Sequence, residues 1–171
     1  MDPQDYSISF RIRHPSIDPA ELSRQLGIEP QHAWRAGEPR RLESGEVGSG
    51  VYRETFWVGV LPASLPWSGM LPEMLPELRH GRAGPLIAAV KTGPVLPQIT
   101  LYFTLLKMKR ATAFWRALTD QGGTVECRLQ VHNTDGFQLE MSQALMLMLV
   151  ELRVGLSIEV DSAQQAEERA A

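Results

Sequence analysis

The stretch "YSISFRIR" (6–13) alternates. Ile8, Phe10 and Ile12 fall on one side of an extended chain, and Ser7, Ser9, Arg11 and Arg13 on the other, which is the two-residue period of a half-buried strand. The period then changes. Asp18 stands as an N-cap before Pro19, Glu21 lies near the positive end of the helix dipole, Leu22 and Leu26 are spaced by one helical turn, and Gly27 ends the run. These signals predict a short helix. Residues 29–50 then lose periodicity, and "ESGEVGSG" (43–50) reads as a flexible glycine-rich connection. A second strand is expected over 51–60, with Tyr52, Glu54 and Phe56 opposing Val51, Arg53, Thr55 and Trp57.

Beyond it the texture alters. Proline recurs at 62, 66, 72, 76, 85, 94 and 97, which blocks both a continuous helix and a central strand. The stretch 98–123 carries two periods. Ile99, Leu101, Phe103 and Leu105 suit a strand, whereas Leu101, Leu105, Met108, Thr112, Trp115 and Leu118 keep a helical period up to Gly122 and Gly123. A long helix is expected, with a strand to about 108 followed by a helix as the alternative. "TVECRLQVHN" (124–133) alternates again, residues 137–141 are expected to begin a paired strand, Ser142 caps a helix with Leu145, Leu149 and Leu152 inward, and 154–161 is the last strand. Together these elements predict an α+β two-layer sandwich of ferredoxin-like style, a mixed sheet with helices on one face. Residues 1–161 are expected to form one domain with a proline-rich insertion at about 62–97, and 162–171 a flexible tail.

The opening strand "YSISFRI", the helix "IDPAELSRQLGIEP", the segment "PQHAWRAGE", the strand "TFW" and the closing "GFQLEMSQALMLMLVELRVGLSIEV" together resemble the bacterial family known as domain of unknown function 4279. The set Pro30, Ala33, Trp34, Gly37 and Glu38 is the most distinctive part. The family has no established activity, so the resemblance implies a fold style and a helix over 98–121. This chain departs from the family at its close, where Glu159, Val160 and Asp161 stand without a tyrosine.

Composition narrows the function classes. The 171 residues are 43% hydrophobic and 22% charged with a net charge of −3, which fits a globular domain and argues against general affinity for nucleic acid or an anionic membrane. Cys127 is the lone cysteine and cannot form an internal disulfide; its strand phase predicts a buried, inert thiol. The N-terminal residues lack a signal-peptide pattern and "ALMLMLVEL" is too short to span a bilayer, so a cytoplasmic location is expected.

The densest chemistry is "EPQHAWRAGEPRR" (29–41). One reading makes it a structural strap across the sheet edge, with Trp34 buried as its anchor, Gly37 at positive φ, and Glu38 paired to Arg35, Arg40 or Arg53. The other makes His32, Trp34, Arg35, Glu38 and Arg40 the lining of a binding site, since guanidinium groups recognise carboxylate and phosphate. The apolar residues of 62–97, Trp67, Met70 and Met74 among them, are the second candidate surface, either packed on the domain or forming part of a partner or dimer interface. No nucleophile motif, phosphate loop or metal-ligand spacing accompanies them, and no catalytic residue, metal or cofactor is expected. The function expected is non-enzymatic protein binding, most concretely an immunity-type protein that neutralises a bacterial toxin by occlusion, with self-association into a homodimer as a further arrangement. The alternative is a small-ligand-binding or unrecognised enzymatic domain built on 30–41.

Overall fold

The structure, a computed structural model, describes residues 6–42, 44–61, 97–132, 139 and 141–161. Its elements run β1 (Tyr6–His14), α1 (Pro19–Leu26), β2 (His32–Trp34), β3 (Pro39–Arg41), β4 (Val47–Val51), β5 (Thr55–Val60), α2 (Pro97–Lys109), α3 (Thr112–Asp120), β6 (Thr124–His132), α4 (Gln143–Leu152) and β7 (Val154–Asp161). The proline-rich residues 62–96, most of the strand expected over 137–141, and the 162–171 tail lie outside the described residues, as do the candidates Trp67, Met70 and Met74.

The fold is α+β. Five strands form one mixed sheet in the order β2-β5-β1-β6-β7, and β3 and β4 form a separate two-stranded arm. β1 lies at the centre, antiparallel to β5 and β6. β7 runs parallel to β6, so the chain must cross over between them, and α4 lies in that connection. The alternation read along the sequence decides which face is covered. Ile8, Phe10 and Ile12 of β1, Trp57 of β5, and Val125, Cys127 and Leu129 of β6 join Leu22, Leu105, Trp115, Leu145 and Leu152 of the helices in one core. The four helices among the described residues therefore cover the same face. On the other face charges of opposite sign form a ladder: Arg13 to Glu54 at 2.9 Å, Arg11 to Glu126 at 3.9 Å, and Arg128 to Glu159.

Local chemistry accounts for the helix ends. Asp18 accepts from the Ala20 amide at 2.9 Å, and the Gly27 amide closes the last turn of α1 onto the Ser23 carbonyl. Lys107 of α2 also reaches α1, donating to the Leu26 carbonyl at 2.8 Å. Ser142 accepts from the Leu145 amide at 3.2 Å and starts α4 where the sequence placed it.

Three sequence expectations are corrected. The long helix over 98–123 is two helices. Arg110 and Ala111 bond back three residues, to Lys107 and Met108, and the tightened turn ends α2 before α3 begins. The period of α2 was ambiguous because its buried residues, including Ile99, Thr100, Leu101, Phe103 and Leu105, lie all round the helix and leave no single apolar stripe. The supposedly aperiodic 29–50 contains β2, β3 and β4, and Val51 belongs to β4, so β5 starts only at Thr55. β3 and β4 are almost wholly exposed and so show no alternation of apolar and polar residues. Among the described residues, no helix is long and apolar enough to cross a membrane.

Candidate functional site

The candidate site is built between the arm and one end of the sheet. After α1, the Gln31 amide donates to the Val58 carbonyl at 2.8 Å and β2 pairs with β5, setting His32 opposite Val58 and Trp34 opposite Phe56. The chain then turns at residues 35–38, where Gly37 has φ of 85°, a conformation that side-chain-bearing residues resist. The Glu38 carboxylate accepts from the Arg35 amide at 3.2 Å. This corrects the expected pairing of Glu38 with an arginine side chain: the turn places it over a backbone donor. The Arg35 guanidinium instead donates to Asp18 at 3.3 Å.

Tyr52 anchors the base of the arm. Its amide donates to the Glu38 carbonyl at 2.9 Å, its carbonyl accepts from Gly37 at 2.8 Å, and its hydroxyl accepts from the Arg41 amide at 3.1 Å. Its ring stacks on Trp34 with centroids 4.8 Å apart, and Trp34 stacks on Phe56 at 4.4 Å. The aromatic row continues into Arg13, whose guanidinium lies 5.4 Å from the Phe56 ring centre. Trp34 is half-buried, less covered than the anchor the sequence suggested.

Between this row and the arm lies a groove of about 1050 Å³. Trp34 and Tyr52 form one part of its wall, Arg40, Arg41 and Arg53 stand among its lining residues, and Leu42 and Val51 add apolar surface. The three arginines are exposed, and among the described residues their side chains make no hydrogen bond or ion pair. Glu54, a carboxylate in the lining, is held by Arg13 at 2.9 Å. Three free guanidinium groups in a chain of net charge −3 make a local cationic site, suited to carboxylate or phosphate.

Of the residues singled out from sequence, Trp34 and Arg40 line the groove. Arg35 and Glu38 shape the turn that positions it, and His32 lies two positions before Trp34 on the exposed edge strand, outside the groove lining. Sequence reasoning did not assign Arg41, Tyr52 or Arg53 to a site. Arg41 stands beside Arg40 in the segment 29–41, but nothing local shows that Tyr52 and Arg53 return to it across a hairpin.

Other reactive groups lie elsewhere. Cys127 is wholly buried beneath the helices, and its thiol is pushed up to about 12, mainly by burial and further by the charge of Glu126. His14 is buried with Nδ1 accepting from the Ser16 and Ile17 amides at 3.0 and 2.8 Å. Among the described residues, no group of three or more His, Cys, Asp or Glu is placed to hold a metal ion.

A family model described as domain of unknown function (DUF4279) matches residues 4–163. No curated protein and no solved structure matches the chain.

Proposed function

The chain belongs to the DUF4279 family, and we propose that it is a non-enzymatic binding domain that captures an acidic segment of a partner protein in the groove between the arm and the sheet. The observation that carries this reading is that Arg40, Arg41 and Arg53, three arginines whose side chains are unpaired among the described residues, all stand in the lining of a groove that also offers Leu42 and Val51. Cations and aliphatic surface side by side suit a peptide carrying carboxylates and an apolar anchor. The ring faces of Trp34 are engaged by Tyr52 and Phe56, which makes it a wall of the groove rather than a platform for a nucleobase. In its immunity-type form, the partner is a bacterial toxin whose working surface is covered on binding.

The second reading is a small anionic ligand, favoured by the groove's volume, which is near the upper end for ligand sites. Affinity capture with the tagged chain, followed by identification of what co-elutes, separates the two, run beside the Arg40→Glu/Arg53→Glu double variant. A protein retained by wild type and lost from the variant is expected, together with salt-sensitive binding of a labelled Glu- and Leu-containing peptide. Equal capture by both chains, or preference for single-stranded oligonucleotide over the peptide, would remove the proposal. A retained anionic metabolite would establish the second reading.

A further inference from the structure

The opposite edge of the sheet carries a different surface. Met146, Leu147 and Val150 form an outward stripe on α4, at 47%, 59% and 74% exposure, and Ile158 and Val160 of β7 are 43% and 48% exposed beside it. These five large aliphatic side chains share one helix and the strand that follows it. β7 is the end strand of the sheet among the described residues, so one row of its backbone amides and carbonyls faces outward. Natural edges are usually blunted by lysine, proline or a bulge, and β7 has none of these in its pairing with β6.

We propose that this surface is a homodimer interface, in which β7 pairs antiparallel with β7 of a second copy about a two-fold axis at Ser157 while the two α4 helices pack together. The sequence of β7 is self-complementary in that register. Leu156 meets Ile158 and Val154 meets Val160, all on the helix-covered face. Glu159 meets Gly155, which brings no like charge and leaves room for the longer side chain. A register centred on Glu159 would instead oppose two carboxylates. Ser157 lies opposite its own copy on the axis, where two small uncharged side chains bring no like charge. A foreign strand would satisfy the backbone edge alone, whereas a second copy also brings a matching α4 stripe. The Arg40–Arg53 groove sits at the β2 side of the sheet, so this inference stands or falls independently of the proposed binding role.

The test is the native mass of the full chain by sedimentation equilibrium at micromolar concentration, beside Val150→Glu/Ile158→Lys. Twice the chain mass of 19.1 kDa is expected for wild type, and the single-chain mass for the variant with an unchanged circular dichroism spectrum. If the variant fails to fold, Ser157→Cys decides. Under oxidant it is expected to give a covalent dimer on a non-reducing gel, and Ser49→Cys on the groove side is not. A monomeric wild type, with Val150→Glu lowering the melting temperature, would assign the patch to residues 62–96 of the same chain and overturn the dimer. A dimer unaffected by the double variant, or no Ser157→Cys cross-link, would overturn it equally.

Discussion

Thr55 Oγ1 accepts the backbone amide of Ala36 at 3.1 Å, tying the first residue of β5 to the turn that launches the arm. The same hydroxyl donates to the Ile17 carbonyl at 2.8 Å, so one buried side chain joins the entry to α1, the sheet and the arm. Thr55→Val keeps the shape and leaves a donor and an acceptor unpaired. A loss of roughly 2–6 kcal/mol in urea unfolding is expected, at about 1–3 kcal/mol for each group. Thr55→Ser keeps both bonds and should lose no more than about half as much. Equal losses would show that the methyl group, and not the hydroxyl, matters here.

Trp34 joins the arm to the sheet through Tyr52 on one side of the chain and Phe56 on the other. It is only half-buried, so Trp34→Ala should destabilise by about 2–3 kcal/mol, below the range of about 3–5 for a fully buried indole. Trp34→Phe should restore most of this by keeping a stacked ring. A melting curve unchanged in Trp34→Ala would mean that the stack adds nothing to stability.

Cys127 gives a pH-dependent prediction. Burial first, and Glu126 second, raise its thiol from the ordinary value of 9.0 to about 12. The unfolded chain therefore loses this proton before the folded one does. Between about pH 9 and 12 the unfolded state binds fewer protons, so the contribution destabilises the fold as pH rises, and it is flat below that window. Urea midpoints of Cys127→Ala should fall less steeply than those of wild type from pH 9 upward. Parallel curves would contradict the assignment. Native wild type at neutral pH should label slowly with thiol reagents and quickly in denaturant.

Ser142 caps a helix whose exposed face is unusually apolar, so α4 depends on its first turn being closed. Ser142→Ala removes the acceptor for the Leu145 amide and should cost about 1 kcal/mol, while Ser142→Asp should be neutral or better. A loss shared by both variants would point away from capping.

The sequence by itself determined the elements whose signals are local. The alternation of 6–13 and 124–133 assigned β1 and β6 and their buried phase, Asp18, Pro19 and Gly27 bounded α1, and Ser142 started α4. The side chains that encode these elements lie within a turn or a strand of one another, so spacing alone reports them. Membership of the family was likewise legible in "PQHAWRAGE" and the closing segment. What only the tertiary structure decided depends on residues far apart in the chain. The arm carries no apolar period because both its faces meet water, and α2 carries no stripe because it is covered nearly all round. The groove exists because Tyr52 and Arg53 fold back beside Arg40 and Arg41 across a hairpin. Burial against a distant partner leaves no periodic mark when it is complete on all sides or absent on all sides, and those are the two cases that spacing cannot read.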